Sequence, residues 1–406
     1  MALPLETPVG PVIGRAHGGV HVWRGLPYAA PPARRFAPAG PRPSWSAPSD
    51  ASTAAPPAPQ LRDGTVLGDE ALGGRTLDVY APAGVSGLPV LVFVHGGAFV
   101  GGGPADYDGT HLAARLPAVV VTVSYRLGAL GFLTTRASDP TPALTDLVAA
   151  LTWVSDTVSA FGGDPGRVTL AGQSAGAAMV SSLMTTPAAR GRFRAAVILS
   201  GGGWVRSPDE HAAAGEAFTA ALDADPDTAS VADLLEAATQ VPADPGNPRG
   251  VPFLPVVDGD VLPVPPLDAV PGVPLWLQTC RDEMAVFRPD LPAVEQARRT
   301  AAWWEGGVRD LAAAHPGPMW TGRFDHAPAV PLFDVLGATH GADNACLWAH
   351  PPRFLERPLL GRPAAAMSAA DRAVTDELHD ALARFVHGHE LPWAAGPTFP
   401  GHVFGP

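Results

Sequence analysis

The chain has 406 residues, 46% of them hydrophobic and 16% charged, with a formal charge of −12. That is enough chain to bury a large core, and the negative charge argues against nucleic acid or an anionic membrane surface as a partner. All 27 basic residues are Arg, and two cysteines, Cys280 and Cys346, are too few for a disulfide framework.

No apolar run reaches the ~18 residues of a membrane span, and Met1 to Glu6 lacks a basic, apolar leader pattern, so a cytoplasmic protein is the simplest expectation. The N-terminal part is rich in Pro and turns. Val22 to Ala29 is a strand candidate there, and Pro41 to Pro59 reads as an irregular strap lying over a core, with Trp45 as its aromatic anchor. Thr76 to Tyr80 alternates and predicts an antiparallel strand. Continuous apolar runs follow at Val90 to Val94, Ala118 to Val123, Val168 to Ala171, Ala195 to Leu199 and Leu275 to Leu277. Such runs predict strands covered on both faces. Helical stretches separate them, over Gly109 to Leu116, Leu144 to Ala160 and the residues after Ser174. The alternation predicts a mostly parallel, doubly wound α/β sheet. Asp209 to Thr239 and Ala293 to Ala314 read as helical blocks that cap the sheet as a reduced lid, within insertions of approximately 205–250 and 284–318 of one domain. A last strand begins near Met319, and Asp371 to His387 predicts an amphipathic C-terminal helix.

Gly172–Gln173–Ser174–Ala175–Gly176 lies between the third apolar run and a stretch of small residues. Gly-x-Ser-x-Gly in a strand–turn–helix context is a nucleophile elbow, in which side chains two residues from the Ser would collide. The elbow aims the Ala175 N–H at the space above Ser174. The loop His95–Gly96–Gly97–Ala98–Phe99 ends the first apolar strand and can present consecutive N–H groups, making Gly96, Gly97 and Ala98, with Ala175, the candidate oxyanion donors. Gly101 to Gly103 suggests a phosphate loop instead, but the chain has no Lys for a Walker motif. A base must be a His. In the order Ser, acid, His, the Gly-flanked His340, in a loop taken to follow a strand, is the best candidate and His326 the runner-up. His315, His379, His387 and His389 read as solvated. Leu275 to Glu283 runs from a buried strand into a polar tip, where either Asp282 or Glu283 could be the acid. Asp282 could equally be a surface partner of Arg281. Phe99, Trp204 and Phe287 are candidates to line a substrate pocket.

At this point the sequence resembles a type-B carboxylesterase, the carboxylesterase and cholinesterase-like family of α/β-hydrolases, over most of its length. Gly25–Leu26–Pro27–Tyr28–Ala29, Leu77 to Pro82, Tyr125 to Gly128 with Gly131–Phe132–Leu133, Phe161 to Pro165 and Pro255 to Gly259 carry the likeness. The resemblance implies an α/β-hydrolase fold and a Ser174–His340–Glu283 triad, selecting Glu283 over Asp282, which with Ser200 becomes a supporting residue. It implies hydrolysis of small to medium carboxylic esters through an acyl-enzyme, with water as the second substrate and no metal or cofactor. Amide, thioester or acyl-transfer chemistry by the same triad is the alternative, and a non-catalytic binding protein on this fold is a further one. Gln173 stands where the family usually has Glu, and Ala98 where many members have a third Gly.

Overall fold

The structure, a computed structural model, describes residues 2–133, 141–242, 251–269, 271–349 and 367–405. The 243–250 part of the first expected insertion lies outside the described residues. Eleven strands form the path of the main sheet: β1 (Ala2–Leu5), β2 (Val12–His17), β3 (Val20–Pro27), β4 (Thr76–Pro82), β5 (Leu88–Val94), β6 (Val119–Val123), β7 (Gly163–Gln173), β8 (Ala195–Leu199), β9 (Leu275–Cys280), β10 (Met319–Phe324) and β11 (His402–Phe404). Their order is β1-β2-β3-β4-β6-β5-β7-β8-β9-β10-β11. Pairing is antiparallel from β1 through β4 to β6 and parallel from β6 to β11. A separate hairpin pairs Gln60–Arg62 with Thr65–Leu67.

The apolar runs form strands because both faces of the sheet are covered. Every residue of β5, β6, β8 and β9 is buried. Alternate residues enter different cores. Val90, Val92 and Val94 pack on one face with α3 (Pro142–Thr157) and α4 (Ala175–Thr185). Leu91 and Phe93 pack on the other with α1 (Thr110–Arg115) and α11 (Ala369–His387). Each such large side chain contributes roughly 1.5–3 kcal/mol of transfer free energy. Trp276 on β9, 1% exposed, stacks on Phe404 and packs edge-on against Phe385 and Trp393. The chain reverses direction across the sheet between β5 and β7, so the loops after their C-terminal ends splay apart there. In open α/β sheets that crevice is where ligands bind.

Several helices depart from the simple expectation. The acidic block after Asp209 is two helices, α5 (Pro208–Leu222) and α6 (Val231–Gln240), because Asp223 takes a left-handed conformation at φ 47° and Pro226 follows. The second block is α7 (Ala293–Thr300), a π-helical turn at Ala301–Glu305, and α8 (Gly306–Ala314). A short helix, α2 (Gly128–Phe132), follows β6. The strap is anchored by the Trp45 indole, which donates to the Pro11 carbonyl at 2.8 Å. No helix among the described residues is long and apolar enough to cross a membrane.

His379 and His315 were expected in solvent but are 0% and 7% exposed. His379 sits on the core face of α11 beside Leu378 and Leu382, and its Nε2 bonds the Leu347 carbonyl at 2.7 Å. Burial holds its imidazole neutral, pushed down to about 4. Amphipathic periodicity marked that face; the polar residue type hid this member of it. Cys280 and Cys346 are buried free thiols.

Candidate active site

Ser174 stands between β7 and α4 with φ 57° and ψ −122°. The strain is held by what surrounds it. A methyl on Gly172 would lie 2.4 Å from the Gly176 carbonyl oxygen, and one on Gly176 would lie 2.0 Å from that of Val94. Only glycines allow the strand, the turn and β5 to approach so closely. The Ser174 N–H donates to the Leu199 carbonyl at 2.9 Å, tying the elbow to β8. Ser174 is 7% exposed, with its hydroxyl at the sheet's C-terminal edge.

Its Oγ lies 2.7 Å from His340 Nε2. The opposite ring nitrogen, Nδ1, lies 2.5 Å from Glu283 Oε2. Glu283 is fully buried, and its Oε1 accepts the Cys280 N–H at 2.8 Å. A proton on Nδ1 satisfies the carboxylate, which leaves the Nε2 lone pair to face the hydroxyl; this network assigns the tautomer. Three segments far apart in sequence thus meet in one hydrogen-bonded line.

His340 does not directly follow a strand as expected. Helix α9 (Pro331–Leu336) intervenes after β10, and the loop at 337–341 then returns to β9. Backbone and side chain zip it to the Glu283 turn. Asp282 N–H donates to the Ala338 carbonyl at 2.9 Å, Asp282 Oδ2 accepts the Ala338 N–H at 3.1 Å, and Val286 N–H donates to Thr339 Oγ1 at 2.9 Å. Asp282 therefore braces the His340 loop and also pairs with Arg281 at 2.9 Å. His326 is bonded to Asp371 of α11 at 2.7 Å, on another path. Ser200 is expected as a hydroxyl supporting the acid–base pair from behind. Its hydroxyl donates to Cys280 Sγ at 3.8 Å, one link behind the Cys280 N–H that holds Glu283.

The loop after β5 faces Ser174: a methyl on Gly96 would lie 3.0 Å from Ser174 Cβ. His95 Nδ1 lies 2.7 Å from the Gly96 carbonyl oxygen, and burial pushes this imidazole down to about 4, keeping it neutral. The Gly97 carbonyl accepts from Val100 and Gly101, each at 3.0 Å. A planar trans peptide points its N–H opposite its carbonyl. Fixing the Gly96 and Gly97 carbonyls therefore fixes the N–H groups of Gly97 and Ala98 on the other side. Those two, and the Ala175 N–H at the start of α4, donate to no acceptor among the described residues. Gly97 has φ 122°, and Ala98 (54°) and Phe99 (62°) adopt positive φ without being glycine.

Phe99, a candidate to line the pocket, is 1% exposed and packs edge-on against Phe132 at 5.2 Å. The left-handed backbone turns its ring toward α2, into the core. Trp204 is half-buried, its ring tip against Gly201. Phe287 lies 5.0 Å from the His340 ring and stacks on Trp304 at 5.6 Å. Trp304, itself 6.0 Å from His340, was not anticipated. It projects from the π-helical turn, whose wider winding shifts a side chain off the helical register, and no sequence pattern marks such a turn. Gln173, whose Nε2 is 3.4 Å from His340 Nε2, was noted only as an unusual residue.

Behind the line sits Asp343 in α10 (Ala342–Leu347), fully buried, with Oδ2 accepting from Gln278 Nε2 at 3.2 Å. Burial, and then the nearby Glu283 charge, push its carboxyl up from 3.8 to about 6. Below 3.8 the group is protonated whether the chain is folded or not. As pH rises through 6 the native state must ionise a carboxyl that the unfolded chain ionises freely, so stability is lost. Asp343→Asn is therefore expected to gain stability over the parent as pH rises from 4 to 7, by about 3 kcal/mol at most, read by urea melts at both pH values. A stability difference that does not change with pH would contradict this electrostatic account.

Comparison with known proteins agrees with this architecture. A profile of the carboxylesterase family matches residues 2–303. The para-nitrobenzyl esterase of Bacillus subtilis (strain 168) is 34% identical over 390 residues, covering 81% of this chain and 80% of that protein. The fumonisin B1 esterase of Sphingopyxis macrogoltabida is also 34% identical, over 98% of this chain and 76% of its own. The solved structure of a thermophilic pNB esterase superposes with a TM-score of 0.86 at 30% identity, covering 97% of this chain and 94% of the other. The chain belongs to the carboxylesterase family and has its α/β-hydrolase fold, which makes it a carboxylic ester hydrolase.

Proposed function

We propose that the protein cleaves carboxylic esters with Ser174 as nucleophile, His340 as general base and acid, and Glu283 as the carboxylate that orients His340. Ser174 Oγ attacks the ester carbonyl carbon while its proton passes to His340 Nε2. The Glu283 carboxylate keeps the Nδ1 proton in place and stabilises the imidazolium without taking that proton. The carbonyl oxygen becomes an oxyanion held by the N–H groups of Gly97, Ala98 and Ala175, each such donor being worth about 3 kcal/mol, or 10²–10³ in rate. His340 then protonates the departing alkoxide. Water, deprotonated by the same imidazole, attacks the acyl-enzyme and releases the acid and Ser174.

The observation that carries this reading is the line from Glu283 through His340 to Ser174, ending beside three N–H groups with no acceptor among the described residues. The alcohol must depart next to His340, where the Phe287 and Trp304 rings stand, so apolar or aromatic alcohols suit the leaving side. The relatives' names, para-nitrobenzyl esterase and fumonisin B1 esterase, make simple carboxylic esters reasonable first substrates. Helices α5 to α8 would cap the site as a lid within one catalytic domain. With a net charge of −12, the proposed partners are an ester and water, not nucleic acid.

The test is a series of p-nitrophenyl esters of increasing acyl length set against the p-nitroanilides of the same acids. Short and medium esters are expected to turn over at least about 10²-fold faster than their anilides. Equal rates on both would replace the esterase reading with an amidase.

A further inference from the structure

The three glycines at 101–103 offer no side chains to anchor the loop that carries the Gly97 and Ala98 N–H groups. Fixing each backbone residue costs about 1–2 kcal/mol, so such a loop holds one geometry only if neighbours hold it. One neighbour comes from a distant part of the chain. Gln60, at the start of the hairpin strand Gln60–Arg62, is 2% exposed. Its Oε1 accepts the Gly102 N–H at 3.0 Å, and its Nε2 donates to the Gly102 carbonyl at 3.0 Å. The second hydrogen of Nε2 serves the Ala58 carbonyl at 3.0 Å. The side-chain amide thus pairs with both polar groups of Gly102, as a neighbouring strand would.

Gly102 in turn supports the peptide that matters. Its φ is +101°, and a methyl on it would lie 2.7 Å from the Gly96 carbonyl oxygen and 2.8 Å from His95 Nδ1. Gly102 is therefore packed against the hydrogen bond from His95 that orients the Gly96–Gly97 peptide. That peptide carries the Gly97 N–H. If Gly102 drifted, the Gly96 carbonyl would lose its wall and the N–H opposite it would lose its aim.

We propose that Gln60 is a positioning residue for ester hydrolysis, clamping Gly102 so that the Gly97 and Ala98 N–H groups are aimed before substrate arrives. The inference rests on reading those groups as the oxyanion donors. Gln60 touches no reacting atom, and its influence is on transition-state charge more than on substrate binding.

The experiment compares the wild-type enzyme with Gln60→Met, which has similar length and no amide, and Gln60→Glu, which keeps the acceptor for Gly102 N–H but turns a carboxylate oxygen on the Gly102 and Ala58 carbonyls. The readouts are kcat and KM on a p-nitrophenyl ester, the pH profile of kcat/KM, the melting temperature, and the inhibition constant of an alkyl trifluoromethyl ketone, which forms a tetrahedral oxyanion on the Ser. In both variants kcat is expected to fall about 10–100-fold with KM within about twofold, the inhibition constant to rise by a similar factor, and the pH profile to keep its position, in line with the cost of misplacing an oxyanion donor. A lower melting temperature with kcat and ketone affinity unchanged would make Gln60 merely structural and overturn the proposal. Should Gln60→Met not fold, the near-isosteric Gln60→Glu decides by the same readouts. If the wild-type enzyme forms no ketone adduct, the oxyanion reading itself falls and takes this inference with it. If the wild type binds the ketone and folded Gln60 variants bind it equally well, only the inference falls.

Discussion

Ser174→Ala is expected to lower kcat on a p-nitrophenyl ester by about 10⁵–10⁶-fold while the melting temperature moves little, the scale seen when a serine hydrolase loses its nucleophile. The fold should tolerate the change because the hydroxyl's hydrogen bond is to His340 and not to a structural partner. The strain at φ 57° stays, since Ala meets the same backbone constraint. KM can remain near its wild-type value, because the surroundings that bind the ester are intact. Residual turnover would come from the backbone N–H groups of Gly97, Ala98 and Ala175 acting on a water-attacked carbonyl. A kcat within about tenfold of wild type would remove Ser174 from the mechanism.

The second large effect separates two adjacent carboxylates. Glu283→Gln is expected to cost about 10⁴ in kcat, the loss typical when the orienting carboxylate of such a triad becomes an amide. The amide oxygen can still accept the Cys280 N–H, so the turn keeps its backbone tie. What changes is the partner of His340 Nδ1: with the oxygen so engaged, the amide NH₂ now faces that nitrogen. The ring then favours a proton on Nε2, where the lone pair facing Ser174 is needed. Asp282→Asn should cost only a few-fold. Its side chain reaches the Ala338 N–H and Arg281, and a backbone bond from the Asp282 N–H to the Ala338 carbonyl survives the substitution. If kinetics of the two variants showed the larger loss in Asp282→Asn, the assignment of Glu283 would be reversed.

Much of the architecture was legible because its causes are local. Val90 to Val94 and Ala195 to Leu199 are apolar at every position, the pattern a doubly covered strand needs, and both form such strands. The elbow was legible because its two glycines answer steric contacts within a few residues and one strand away. The N-terminal strands β1 and β2 are not legible, since short strands with many exposed residues lack a strong alternation. Helix α2 carries no helical signal in the sequence: five residues with two glycines have no helical period. The return of the 337–341 loop to β9 depends on bonds between Asp282, Ala338, Thr339 and Val286, whose spacing in sequence says nothing of their meeting. Gln60 is invisible for the same reason. A glutamine just after a turn-rich strap carries no signal until the glycine loop it clamps is placed beside it. His379 shows the converse error, a polar residue type masking a core position.

The proposed mechanism makes Ser174 a nucleophile activated by His340 and Glu283. It is tested most directly by reaction with a fluorophosphonate, followed by mass mapping of the labelled peptide in the wild-type enzyme and in His340→Ala. One label per chain is expected, on Ser174, formed on the wild type and slowed by several orders of magnitude in His340→Ala. A label on another residue, or equal labelling of Ser174 in both proteins, would contradict it.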